Sequence, residues 1–294
     1  MNKFIGSFLL LFLLTGCEKK IEFDLKQVET VLAVDANIEN DLPPVVVLTN
    51  SLGYFSKIDT AIINNMFVHG ADVYISNGVL THKLKEYPIP IPTQGLTFYK
   101  YSIDSSNLAT AFTGELNTSY SLRIVSGGKE YNATTTIPLI AKKPDSMWWE
   151  KAPFQEDTTR VILMIKVTDP PGLGNYVRYF TKRNAEPFYP GLNSVFDDQV
   201  IDGSTYQLEV QPGVDRNFPG AIDDNFFNRG DTITFKLCNI DRASYNFWNT
   251  WEFSAQSIGN PFASPNKILG NISNGALGAF YGYGAFYKTI IVPE

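Results

Sequence analysis

Two arms of alternating polar and apolar residues flank a glycine pair in SYSLRIVSGGKEYNATTTIP, and this pattern restricts the chain more than any other stretch in it. Tyr120, Leu122 and Ile124 share one side of the first arm, and Tyr131 and Ala133 share one side of the second. Gly127 and Gly128 supply the two positive φ angles that a two-residue hairpin turn requires. The segment predicts an antiparallel hairpin with one buried face.

The same period recurs upstream. TVLAVDANI places Leu32, Val34, Ala36 and Ile38 on one side of a strand, and PPVVVLTNS follows as a second strand behind a proline pair. ADVYISNGVLTHKLKEY predicts another hairpin, with Asn77-Gly78 as a type I′ turn. YPIPIPTQG reads as a Pro-rich extended loop ahead of a strand carrying Phe98, Tyr99 and Tyr101. About six short strands without a helix-length pattern predict an immunoglobulin-like or transthyretin-like sandwich over residues 30–140. LIAKKPDSMWWEKAP then changes composition and carries two prolines, which places a domain boundary there.

Residues 141–294 form a second β-rich domain in this reading. Trp148 and Trp149 are adjacent, so a strand points them to opposite faces, one to a core and the other to a groove or domain interface. They are the ligand-binding candidates. TRVILMIKVTD sets Val161, Leu163, Ile165 and Val167 on one face, and NYVRYFTKR, STYQLEVQPG and DTITFKLCNI add strands. One amphipathic helix is expected at about residues 242–257, with Asp241 as its N-cap. Phe247, Trp248, Trp251, Ala255 and Ile258 face inward in that helix, leaving Asn246, Asn249, Glu252 and Gln256 outward. GNISNGALG reads as a turn packed closely against neighbouring backbone, and ALGAFYGYGAFYKTIIV closes the chain as a strand. A hydrophobic fraction of 44%, with 14% aromatic, is enough for two cores. The fold class expected is mainly β, two β-rich domains with one helix in the second.

The first residues follow a different rule. Lys3 precedes the apolar run Phe4 to Leu14, and residues 1–16 read as a secretory signal. As a helix that run would rise only about 16 Å, against roughly 30 Å of hydrocarbon in a bilayer. Leu14-Thr15-Gly16-Cys17 resembles the lipobox of bacterial lipoproteins, in which the cysteine thiol takes a diacylglycerol and the freed amine is acylated. Cys17 is therefore the expected lipidation site, and residues 17–29 the tether of a membrane-anchored protein. Three acyl chains, at about 0.8 kcal/mol per buried methylene, hold far better than one.

Charge and residue counts exclude several functions. The net charge is −6, and removing Lys3 makes the mature chain more acidic still, so no basic surface is available for nucleic acid. Cys17 and Cys238 are the only cysteines, which leaves no internal disulfide once Cys17 carries lipid. Cys238 reads as a small buried residue. His69 and His82 are scattered, with no zinc-ligand spacing to a thiol, and His82 in VLTHKLKEY reads as a half-buried strand histidine. Asp197, Asp198, Asp202, Asp223, Asp224 and Asp231 cluster in VFDDQVIDG and IDDNFFNRGD. They lack the alternate-residue register of a calcium loop and read as solvated loop acids. No serine elbow, phosphate-binding loop or dinucleotide fingerprint is present. No cofactor, metal or catalytic set is expected.

VLAVDANI, GADVYISNG, the glycine hairpin, VTDPPGLGNYVRYF, FDDQVIDG, ASYNFWNTWEFSAQ and the tail from Asn260 to Phe280 together resemble domain of unknown function family 4249. That resemblance implies a lipoprotein of Bacteroidota, encoded beside TonB-dependent outer-membrane receptors. The implied function is an outer-membrane-anchored, non-catalytic lipoprotein that assists such a transporter or binds its ligand. An independent carbohydrate-binding lipoprotein is the alternative, and a hydrolase using the loop aspartates comes last. Glu18-Lys19-Lys20 lacks the acidic run of surface-exported lipoproteins, so the periplasmic and surface faces both stay open.

Overall fold

The computed structural model describes residues 30–53, 58–154, 156–216, 225–260, 262, 264 and 266–294. The signal at 1–16, the tether at 17–29 with Cys17, and Asp223 and Asp224 lie outside the described residues. The chain is mainly β, half strand, with a large sheet and one long helix near the C-terminus. Among the described residues no helix is long and apolar enough to cross a membrane.

The strands of the first half are β1 (Leu32–Glu39), β2 (Val45–Asn50), β3 (Asp72–Ser76), β4 (Thr81–Ile91), β5 (Leu96–Ile103), β6 (Thr118–Ser126) and β7 (Lys129–Ile137), with a short helix α1 (Thr60–Asn65). Those of the second half are β8 (Pro144–Lys151), β9 (Arg160–Thr168), β10 (Tyr176–Arg183), β11 (Tyr189–Phe196), β12 (Thr205–Val210), β13 (Phe227–Asn228), β14 (Thr232–Ile240) and β15 (Leu277–Ile291), with helix α2 (Arg242–Ser257) between the last two. Eleven of them form one sheet path in the order β11-β10-β14-β15-β1-β2-β5-β4-β3-β6-β7. A second sheet has β9 at its centre, with β8 on one side and β12 and β13 on the other.

β15 belongs to both halves. Its first part, Leu277 to Tyr283, runs parallel to β1, and its second part, Gly284 to Ile291, runs antiparallel to β14. The glycines of its Tyr-Gly-Tyr-Gly stretch explain how β7 can pass over it. A Cβ on Gly282 would stand 2.6 Å from the Thr136 carbonyl oxygen, and one on Gly284 would stand 2.6 Å from that of Pro138. Any side chain there would drive the strands apart. With β7 brought back to β15, the strands of the first half wrap a core of Val34, Ala36, Ile38, Leu122, Ile124 and Phe280 among others, all apolar or tyrosine.

Local turn chemistry accounts for both hairpins. Gly127 and Gly128 hold φ of 57° and 75°, and β6 pairs with β7 from Ser126–Lys129 outward, as the glycine pair predicts. Asn77-Gly78 does not make the expected two-residue turn. Ser76 pairs with Thr81 across a four-residue loop, because the Asn77 side-chain oxygen accepts from the Val79 and Leu80 N–H groups and holds the turn itself. The Pro-rich stretch is strand rather than loop. Pro88 and Pro90 face Tyr99 and Thr97 of β5, on a length of β4 that β3 has already left, so the missing N–H donors fall on an open edge.

In the second half, β8, β9, β12 and β13 face β10, β14 and the end of β15 across a core containing Val161, Leu163, Phe227, Ile233 and Phe235. Helix α2 covers the opposite side of β10, β14 and β15. Asp241 caps it as predicted, its side chain accepting from Ser244 N at 2.7 Å. Two helical positions reverse the sequence reading. Glu252, expected outward, is 4% exposed, because its carboxylate accepts from Ser194 N and Oγ and pairs with Arg216. Ile258, expected inward, is 84% exposed, because the helix ends at Ser257 and residue 258 turns to an extended conformation.

Candidate functional site

The two sheets of the second half do not close on each other along one side. Between β11 and β12, the edge strands of their respective sheets, lies a slot of about 620 Å³. Its inner walls are apolar: Ile165 and Val167 from β9, Val177 and Tyr179 from β10, Leu208 and Val210 from β12, Phe235 and Leu237 from β14. Gly191 in β11 leaves the space that the Tyr179 hydroxyl occupies, since a Cβ there would sit 1.9 Å from it. Volume and lining match those of pockets for small organic molecules.

Both ends of the slot are closed by connections. At one end the chain leaving β12 crosses to the other sheet, where Gly213 N donates to Thr181 Oγ1 of β10 and Val214 N donates to the Pro190 carbonyl of β11. At the other end residues 197–204 link β11 to β12 and carry Asp197, Val200 and Ile201 to the mouth. Phe196 and Val200 stand 44% and 94% exposed on this rim. Tyr245, in the first turn of α2, donates to Asp197 Oδ2 at 3.2 Å. Burial and the neighbouring Asp197 carboxylate push the Tyr245 pKa up to about 12, so it stays a donor.

The rim loop is pinned by aspartates, and for the buried Asp198 and Asp231 this corrects the reading as solvated acids, while Asp202 is exposed. Asp198 is 2% exposed, lying just under the surface beneath its own loop, and accepts from Gly174 N at 2.8 Å, Asn175 N at 2.9 Å and Asn175 Nδ2 at 3.3 Å. Burial alone would raise its pKa, but the backbone N–H groups of Asn175 and Gly174 hold it below the ordinary carboxylate value. Asp202 accepts from Gly172 N at 2.7 Å. Asp169, fully buried, takes Gly203 N at 3.3 Å and pairs with Lys142 Nζ at 2.5 Å. Asp169, Asp198 and Asp202 bring carboxylate oxygens within 4.8 Å of one another. Their charge is met by Lys142 and by the donors of the 172–175 turn, so loop closure accounts for the cluster. Asp231, 7% exposed, is likewise structural, accepting from Asn228 N and Asn184 Nδ2.

Other residues singled out in the sequence lie elsewhere. Trp149 packs against the core of the second sandwich with the Arg229 guanidinium 5.1 Å from its ring, while Trp148 donates its indole N–H to Glu150 at 2.7 Å. Neither lines the slot. Cys238 is fully buried under α2, and burial pushes its thiol pKa up to about 12, far from nucleophilic. His82 is 1% exposed, bonded to Thr110 Oγ1 and to Asp104 N, and burial lowers its pKa. His69 sits against Glu86.

Sequence reasoning missed Lys142, Asp169 and the slot itself. VTDPPGLGN and FDDQVIDG held the signal: one stretch offers turn N–H groups and the other carboxylates, and the fold joins them.

Fold and site together define a class: a mainly β protein with a small-molecule-sized apolar slot between two sheets, under a pinned loop. The chain belongs to the family described as Domain of unknown function (DUF4249), whose model matches residues 18–289. Comparison with curated proteins found no match.

Proposed function

We propose that this chain is an outer-membrane-anchored, non-catalytic lipoprotein that binds a ligand for a TonB-dependent transporter and works beside that barrel. The slot of about 620 Å³ is the observation that carries the binding role, because sandwich cores of this size normally fill such space with side chains. The anchor rests on Leu14-Thr15-Gly16-Cys17 and the transporter on the family resemblance. A non-catalytic role is supported by the groups that would have to react. Cys238 is buried, both histidines are engaged, and the clustered aspartates are held by backbone donors. The carbohydrate reading has less support, since none of the four tryptophans is among the exposed residues.

Affinity purification of the lipidated chain through a C-terminal tag, from membranes of its own host, is expected to recover a TonB-dependent barrel. Replacing Cys17 by Ser is expected to move the protein from the membrane to the soluble fraction. Recovery of the chain alone would remove the transporter from this reading, and unchanged partitioning of Cys17→Ser would remove the anchor.

A further inference from the structure

The charges around the slot narrow what can enter it. Among the lining residues the charged groups are Lys142, Asp197 and Glu209. Lys142 is not free to meet a ligand anion, since its ammonium is 2.5 Å from the fully buried Asp169 carboxylate. That leaves two carboxylates in the lining, Asp197 at the end closed by residues 197–204 and Glu209 toward the end closed by 211–216, with Asn193 and Gln211 as neutral polar neighbours. Asp198 and Asp202, in the same rim loop, are taken up by the backbone N–H groups of the 172–175 turn and leave Asp197 as the loop's carboxylate toward the slot. Glu209 is exposed on the edge strand β12 and has no ionic or hydrogen-bonding partner among the described residues, and partial desolvation raises its pKa. A carboxylate so placed is improved by a donor or a cation and worsened by an anion.

The shape is restrictive as well. A free strand edge beside an apolar groove invites an added β-strand, but an added strand has to run out at both ends. Here residues 197–204 block one end and 211–216 block the other. The occupant is a compact molecule rather than an extended peptide.

We propose that the slot takes a compact amphiphile with an apolar body and a neutral or cationic hydrogen-bond-donating head, the body lying between β9, β12, β10 and β14 and the head at one of the two carboxylates, Asp197 at one end or Glu209 toward the other. Fatty acids and other anionic amphiphiles are disfavoured by the same carboxylates. This rests on the ligand-binding role proposed above and specifies its chemistry.

Three ligands that share one chain and differ in head group test it: decylamine, decanol and decanoate. Each is titrated below its aggregation threshold into the mature chain carrying Cys17→Ser, by displacement of the neutral apolar fluorophore N-phenylnaphthylamine. The amine and the alcohol are expected to displace it, with decanoate weaker than the amine by about tenfold or more. The double variant Asp197→Asn, Glu209→Gln is expected to bring amine and decanoate to within about twofold of each other while leaving decanol unchanged. Leu208→Trp, which fills the slot, is expected to abolish fluorophore binding with circular dichroism unaltered. Decanoate binding as tightly as the amine, or a preference that survives the double variant, would overturn the assigned ligand class and leave the slot as a binding site. No saturable fluorophore binding, or binding untouched by Leu208→Trp, would overturn the slot itself.

Discussion

The two halves of the molecule treat the same building material differently. In the first, β7 is drawn back onto β15 through Gly282 and Gly284, and the enclosed core is filled by Val34, Ala36, Ile38, Leu122, Ile124 and Phe280. In the second, two sheets of similar strands stop short of closure between β11 and β12, leaving a slot of about 620 Å³. Its polar neighbourhood is held by Lys142–Asp169 below and by Arg178, Ser194 and Glu252 on the far side of the sheet. A filled core gains dispersion and transfer energy from every side chain, whereas a lined slot forgoes part of both. The first half therefore reads as scaffold, and the second as the half that gives up packing to hold something.

Substitutions in the two halves should separate along this line. The largest effect is expected at the buried ion pair: Asp169→Asn leaves the Lys142 charge uncompensated and should cost about 4 kcal/mol in urea unfolding. Adding Lys142→Met should recover much of that loss, since the stranded charge is then gone. A double variant no more stable than the single would show that the pair does more than neutralise itself.

Next in size is a matched pair of truncations. Leu122→Ala empties space in a sealed core and is expected to cost about 3 kcal/mol, whereas Leu208→Ala only widens an existing slot and should cost about 1 kcal/mol or less. Equal losses would erase the contrast between the halves.

The smallest effect is at the rim. Asp198→Asn should cost about 1 kcal/mol, because one carboxylate takes two backbone N–H groups and an amide. The folded-state pKa of Asp198 is depressed, so this contribution is full above the ordinary carboxylate value and fades as pH falls through the folded one. Wild type and variant should differ at pH 7 and begin to converge only as the pH falls below about 4. A gap that persists in acid would assign the loss to shape rather than charge.

What was legible in the sequence was local. Gly127-Gly128 determined its hairpin because both positive φ angles are carried by the two residues themselves. Asp241 announced α2 because an N-cap acts within one turn. Asn77-Gly78 looked equally clear, yet the Asn77 side chain bonded its own loop and lengthened the turn. Glu252 was misassigned because the groups that satisfy it, Ser194 and Arg216, are 58 and 36 residues away. The slot could not be read at all. Val177, Leu208 and Phe235 alternate just as core residues do, and the gap between them is a property of where two sheets stop, which no single strand encodes.

Xenon tests the contrast most directly, because it enters apolar cavities and needs no hydrogen bond. Crystals of the mature chain carrying Cys17→Ser, pressurised with xenon, are predicted to show it between Val177, Leu208 and Phe235 and nowhere within the core around Leu122 and Ile124. Xenon in the first core, or side chains filling the slot so that none binds there, would contradict the account.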